Sequence, residues 1–163
     1  MYAHLLVPLD GSAAAEAALP HAQALAERFG ARVTVLRVTV APETLIAQTA
    51  AGAPGLPEAG PLLDPTPVVE AEQQQAATYL SRVADDLRAR GLSDVNTEQP
   101  EGDAAETIVQ RARELGVELI VMTTHGRGGL GRLVFGSVAD AVLRHTACPV
   151  LLIRIEEPAR ESA

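Results

Sequence analysis

Apolar runs alternate with helix-like stretches along this chain. The runs at residues 4–9, 31–40, 117–122 and 149–155 are rich in Leu, Ile and Val. Continuous apolar runs of this length are typical of strands buried on both faces of a parallel sheet. The segment 94–99 is polar, so we expect a weaker strand there, near a sheet edge.

Apolar residues recur at helical spacing between these runs. They predict helices over residues 13–29, 68–90 and 137–145, and a fourth helix that begins at Asp103 with Glu106 completing a capping box. Ser12 is the expected cap of the first helix, and Pro20 should kink this helix without ending it. Ser137 is the expected cap of the last helix.

Strictly alternating strands and helices predict an α/β fold with a single open five-stranded parallel sheet and helices on both faces. The domain should span residues 1–155 and be followed by a charged tail, 156–163. A stretch rich in Pro, Gly and Ala, residues 41–67, reads as a mobile insert with a short helical piece at 43–49.

Composition excludes several classes of function. The net charge of -8 disfavours binding to nucleic acid or to an anionic membrane. No apolar run approaches the roughly 20 residues that span a bilayer, and no signal peptide is apparent, so we expect a cytoplasmic protein. The single cysteine, Cys148, forms no intrachain disulfide and is expected to be a packing residue.

The segment 121–138, VMTTHGRGGLGRLVFGSV, carries the most chemistry. A strand runs into a glycine-rich loop that contains His125, Arg127 and Arg132, and the loop runs into a helix. Backbone N–H groups accessible beside glycine, together with the positive end of a helix, form a receptor for an anion, and we expect the phosphates of a nucleotide there.

Several residues have two readings. Asp10 either caps the turn at Gly11 or faces a ligand from the end of the first strand. His125 is either a catalytic base or a loop residue that contacts phosphate or stabilises the loop, and we favour the second because no second titratable group stands at a spacing suited to catalysis. Arg127 and Arg132 are either solvated or bound to phosphate. No pair of the four histidines has metal-ligand spacing.

The spacing Gly126-x9-Gly136-Ser137 lies between VMTTH and SVADAVLRHTACPVLLI, and the chain begins with LLVPLDGS followed later by RVTVLRV. In these features the sequence resembles the universal stress protein family. The resemblance implies a Rossmann-like or flavodoxin-like sheet, a homodimer formed through strand 149–155, and an adenine nucleotide, ATP or AMP, as ligand. Mg²⁺ or Mn²⁺ would accompany the phosphates.

The resemblance also implies a role for each matching residue. Pro8 and Asp10 would line the ribose and the adenine, Val38 would meet the adenine through its backbone, and Met122 would pack beside the base. The residues around the phosphates would be Gly126, Gly136, Ser137 and Val138, with His125 and Arg127 in the same loop. Thr123 replaces the first glycine of the family pattern G-x2-G-x9-G-S/T.

The resulting hypothesis is a nucleotide-binding regulator or sensor of a stress response. A nucleotide-independent dimeric scaffold and a slow ATPase are the alternatives. A dedicated enzyme is not expected, because the chain lacks the lysine of a G-x4-G-K-S/T phosphate loop.

Overall fold

The computed structural model of the protein describes residues 1–41, 66–124 and 136–155. Most of the predicted insert, including its helical piece at 43–49, lies outside the described residues. So do the glycine-rich loop from His125 to Phe135 and the charged tail at 156–163.

Five parallel strands form one sheet with the spatial order β3-β2-β1-β4-β5. The strands are β1 His4–Pro8, β2 Arg32–Leu36, β3 Val95–Glu98, β4 Leu119–Thr123 and β5 Val150–Ile153. The predicted parallel sheet is therefore confirmed, as is the edge position of the polar strand β3. β2 ends earlier than predicted, although Thr39 still forms an isolated parallel bridge to Glu101.

The described helices are α1 Ala13–Glu16, α2 Leu19–Phe29, α3 Thr66–Ala89, α4 Ala104–Glu114 and α5 Ser137–His145. Asp103 caps α4 as predicted, because its Oδ1 accepts the N–H of Glu106 at 3.0 Å. α3 begins two residues before the predicted boundary, with Pro67 in its first turn, where a missing N–H costs nothing. None of the described helices is long and apolar enough to cross a membrane.

Pro20 does more than kink a helix, so the prediction of one continuous helix over residues 13–29 is wrong. A turn at Ala17 and Ala18 separates α1 from α2, and Pro20 lies in the first turn of α2. A proline ring cannot donate to the carbonyl four residues before it and clashes with that carbonyl. The chain therefore ends one helix and begins another, which places the proline where it is tolerated.

Helices cover both faces of the sheet and create two cores. On one side, called here the α3 face, α1, α2 and α3 pack against Leu5, Val7, Val33, Val35 and Val121. On the other, called the α5 face, α4 and α5 pack against Leu6, Leu36, Ile120 and Met122. Alternate residues of β1, β2 and β4 thus enter opposite cores, as strand geometry requires.

His4 is buried at the amino end of β1, with 8% of its surface exposed. Its Nδ1 lies 3.1 Å from the carbonyl oxygen of Leu115, and its Nε2 lies 2.7 Å from Oγ1 of Thr34. A carbonyl only accepts, so Nδ1 carries the proton and neutral Nε2 accepts the threonine hydroxyl. Burial lowers the pKa of His4, and Arg32 lowers it further, against the raising effects of the Leu115 carbonyl, Asp94 and Glu118.

We expect this lowered pKa to make the fold sensitive to mild acid. The unfolded chain binds the proton more readily, so the contribution of His4 to the free energy of unfolding is complete above pH of about 6.5. It is lost as the pH falls through the folded-state pKa. The substitution His4→Asn should flatten this part of the pH profile in chemical denaturation, whereas His21→Asn, at an exposed histidine, should not. Equal slopes for wild type and His4→Asn would contradict the assignment.

Candidate functional site

The strand order reverses at β1, which pairs with β2 on one side and with β4 on the other. In open parallel sheets a crevice forms beyond the carboxyl ends of the strands at such a point. Five of the predicted site residues lie within two residues of the carboxyl ends of these three strands: Pro8, Asp10, Val38, Met122 and Thr123. The predicted convergence of the three strand ends is confirmed.

The amino end of α5 is held beside the carboxyl end of β4. The Gly136 N–H donates to the carbonyl of Thr124 at 2.7 Å, and the Thr124 N–H donates to the carbonyl of Ile153 at 3.0 Å. Thus the two ends of the loop at 125–135 are tied together. The glycine that precedes α5 therefore stands at the crevice.

Ser137 does not cap α5, so that prediction is wrong. Gly136 is the capping residue, with extended φ of -52° and ψ of 147°, and its carbonyl already accepts the N–H of Asp140 at 3.0 Å. Ser137 is the first residue inside the helix and is exposed. Within the described residues no side chain bonds the first-turn N–H groups of α5, which leaves them, with the positive end of the helix dipole, available to an anion.

Three apolar site residues share the α5 face. Met122 belongs to the core on this face and is 6% exposed, while Val38 and Val138 are partly buried against the same core. They form an apolar patch next to the uncapped helix end. Such a patch suits a flat apolar group such as a purine, with the anionic part of the ligand at α5.

Thr123 occupies the position where the family pattern has glycine. Successive strand residues point to opposite faces, so its side chain lies on the face of Val121 rather than that of Met122. It is 7% exposed. Its bulk is therefore buried in the protein on the side of the sheet away from the apolar patch.

Asp10 stabilises the turn that begins α1. Its Oδ1 accepts the backbone N–H of Ser12 at 2.9 Å and the Ser12 hydroxyl at 2.6 Å. The Ser12 oxygen in turn accepts the N–H of Ala15 at 3.1 Å and so caps α1. The turn-capping role of Asp10 is present in the structure, and a ligand role stays a prediction.

The remaining predicted residues are in the loop. His125, Gly126, Arg127 and Arg132 all lie outside the described residues. In the described part of the chain, no group of three or more His, Cys, Asp or Glu side chains is arranged to hold a metal ion.

A buried arginine next to the crevice was not anticipated from the sequence. Arg37 follows β2, is 7% exposed, and places its guanidinium carbon 5.4 Å from the centre of the Tyr79 ring. One signal was present: a charged residue interrupts the apolar run of residues 31–40.

Solved structures with the same fold include two that contain nucleotides. A universal stress protein in complex with cAMP aligns with a TM-score of 0.64 at 20% identity, covering 94% of this chain and 97% of its own. A universal stress family protein from Arabidopsis thaliana with AMP bound aligns with a TM-score of 0.63 at 15% identity, covering 97% of each. At these identities the likeness shows the fold alone.

Closer relatives match almost the whole chain. Universal stress protein MJ0531 of Methanocaldococcus jannaschii is 32% identical over 94% of this chain and 83% of its own length. Universal stress protein UspA from Lactobacillus plantarum is 28% identical, with a TM-score of 0.75 over 94% of this chain and 98% of its own. The family model for universal stress proteins matches residues 1–154. The chain therefore belongs to the universal stress protein family.

Proposed function

We propose that the protein binds an adenine nucleotide, ATP or AMP, in the crevice at the carboxyl ends of β1, β2 and β4, and acts as a regulator or sensor in a stress response. The uncapped end of α5, held at this crevice by the bond from Gly136 to Thr124, carries the proposal. The two structures of the same fold with cAMP and AMP support it.

Each part of the nucleotide has a suitable neighbour. The adenine would pack on Met122 and Val138 and meet the backbone at Val38. The ribose would lie at Pro8 and Asp10. The phosphates would take the first-turn N–H groups of α5 at Gly136, Ser137 and Val138, and the loop residues His125, Gly126 and Arg127 would complete their surroundings. A divalent cation would arrive with the phosphates.

The threonine at position 123 is compatible with this arrangement. Its side chain is buried on the α3 face and so does not occupy the space above Met122. The bulk that a threonine adds is therefore directed away from the proposed adenine position.

Binding rather than catalysis is the proposed activity. A phosphate-loop lysine is missing from the sequence, and the crevice offers no acid–base pair among the described residues. Slow hydrolysis of bound ATP, the weaker alternative, would appear as ADP formed in stoichiometric amounts over hours.

The substitution Gly136→Val should strongly weaken nucleotide binding without unfolding the protein. Gly136 has φ of -52°, a conformation open to any residue, so the backbone is not strained by a side chain. The added isopropyl group would block close approach of a phosphate to the helix end. By calorimetry with ATP and AMP, we expect affinity to fall at least about tenfold, the loss of roughly one charge-assisted hydrogen bond.

The control is Ala147→Val, which places the same valine side chain at an exposed position after α5. Its affinity should equal that of the wild type. Unchanged affinity in Gly136→Val, with a circular dichroism spectrum like the wild type, would place the nucleotide elsewhere.

Two substitutions at Asp10 separate its turn role from its ligand role. Asp10→Asn retains an oxygen for the Ser12 N–H, whereas Asp10→Ala removes it, so only the alanine variant should lose about 1–2 kcal/mol of unfolding free energy. Both variants should bind ATP more weakly, because neither keeps the charged acceptor for ribose hydroxyls. Wild-type affinity in Asp10→Asn would reduce Asp10 to a turn residue.

We also propose a homodimer through β5. This strand is at the edge of the sheet, and all four of its residues are only partly buried within the chain. Leu151 and Ile153 pack toward the α3 face, and Val150 and Leu152 toward the α5 face. An apolar edge strand of this kind is covered when it pairs with a second copy across a two-fold axis.

Leu151→Asp or Ile153→Asp should yield monomeric or insoluble protein, as measured by analytical ultracentrifugation. Because both side chains also contact the core, Arg154→Pro is the cleaner variant: Arg154 is exposed, and a proline there removes a backbone donor at the edge. An unchanged dimer in both kinds of variant would exclude β5 as the interface.

The nucleotide-independent scaffold makes a different prediction. The dimer would persist, calorimetry with ATP, AMP and cAMP would be flat, and mass spectrometry of the native protein would find no co-purified nucleotide. Together these outcomes would replace the proposed function with the scaffold.

A further inference from the structure

Two backbone hydrogen bonds fasten the stretch after β2 to the chain after β3. The Thr39 N–H donates to the carbonyl of Pro100 at 3.0 Å, and the Gly102 N–H donates to the carbonyl of Thr39 at 3.0 Å. They surround the isolated parallel bridge between Thr39 and Glu101. The end of β2 is therefore held from the β3 side beyond the last residue of the strand.

The backbone of Val38 faces the opposite side. Alternate residues of a strand turn their N–H and carbonyl groups to opposite neighbours, so those of Val38 face the β1 side. There β1 has already ended: the bond from the Leu9 N–H to the carbonyl of Leu36, at 2.8 Å, is the last between the two strands in the described chain. Among the described residues, neither backbone group of Val38 has a hydrogen-bond partner.

We propose that Gly102 is a positioning residue for the base of the nucleotide, an inference that rests on the adenine-nucleotide crevice proposed above. Through Thr39 it fixes the Val38 backbone so that the crevice accepts adenine and rejects guanine. The carbonyl of Val38 and the N–H of Thr39 belong to one planar trans peptide unit and point in opposite directions. Holding the Thr39 N–H on Pro100 therefore aims the Val38 carbonyl into the crevice.

A fixed N–H beside a fixed carbonyl distinguishes the two purines. Adenine presents its 6-amino donor next to the N1 acceptor, which complements the carbonyl and the N–H of Val38. Guanine presents the O6 acceptor next to the N1–H donor, so each group would face its own kind. A site of fixed hydrogen-bonding groups rejects such a ligand strongly, because the groups are left unpaired when it binds.

Position 102 accepts only glycine without strain. Gly102 has φ of 139°, which residues with a side chain rarely adopt. A Cβ there would lie 2.8 Å from Oγ1 of Thr107 in the first turn of α4. The next residue, Asp103, caps α4 and so ties position 102 to the helix. A side chain at this position therefore displaces the Gly102 N–H, and the Thr39 carbonyl that it holds.

The test compares ATP with GTP by calorimetry in the wild type and in Gly102→Ala. The wild type should bind ATP at least about tenfold more tightly than GTP. In Gly102→Ala this ratio should fall roughly fivefold, the worth of about one hydrogen bond, because Val38 no longer matches the adenine edge. A glycine with a purely structural role would lower the melting temperature and leave the ratio unchanged.

Gly91→Ala is the matched control. Gly91 also has a positive φ, of 106°, but a Cβ there would meet nothing within 4 Å. It lies before β3, at the amino end of that strand and away from the crevice. This variant should lose stability through backbone strain and keep the wild-type preference for ATP. An equal fall of the ratio in both variants would overturn the positioning role of Gly102.

Amide hydrogen exchange on the wild type decides the question if Gly102→Ala does not fold. The amides of Thr39 and Gly102 should be protected in the free protein, and the amide of Val38 should gain protection with ATP but not with GTP. No gain at Val38 with ATP, or an equal gain with both nucleotides, would overturn the proposal.

The outcomes also separate this role from the nucleotide site itself. A wild type that binds ATP and GTP equally, or a ratio unchanged in Gly102→Ala, would remove the role of Gly102 and leave the nucleotide site standing. A wild type that binds no nucleotide would overturn the proposed function, and the role of Gly102 with it.

Discussion

Parallel hydrogen bonding of β1 on both of its edges is the constraint on which the rest of the structure depends. β1 pairs with β2 on one side and β4 on the other, and Leu5, Leu6 and Val7 are fully buried between the two cores. The chain extends the sheet from β1 toward β2 on one side and toward β4 on the other. The connections on the two sides therefore run apart and leave the carboxyl ends of the central strands uncovered. The crevice is therefore a consequence of strand order, and its position owes nothing to the chemistry of the residues that line it.

The helix ends around this crevice are satisfied in different ways. Ser12 caps α1 with its side chain and is itself held by Asp10, and Asp103 caps α4. α5 has a glycine at the corresponding position, fixed in the described part of the chain by its backbone bond to Thr124. A side-chain cap at α5 would occupy the N–H groups to which we assign the phosphates in the proposed function. Stability and binding compete for the same donors, and at α5 the sequence leaves them open.

Buried polar side chains show the same contrast between the two ends of the sheet. At the amino ends of the strands, both nitrogens of His4 have partners, so this group contributes to a closed structure that only acid disturbs. At the carboxyl ends, the Thr39 hydroxyl is buried with no hydrogen-bond partner among the described residues, and Arg37 stacks on the Tyr79 ring. Native proteins satisfy nearly all buried polar groups, so an unsatisfied hydroxyl makes this end of the sheet the less closed of the two.

The sequence by itself determined the parallel α/β sheet, the polar edge strand and the helix at 137–145, because hydrophobic periodicity reports which faces are buried. Its motifs also identified the family and the residues at the strand ends. Tertiary structure decided the rest. Pro20 divides the predicted helix into two, because packing decides whether a proline kinks a helix or begins a new one. Gly136 rather than Ser137 caps α5, because a cap is defined by its backbone angles. The face that receives Thr123 follows from strand register, and the stacking of Arg37 on Tyr79 joins two residues whose contact no local pattern records.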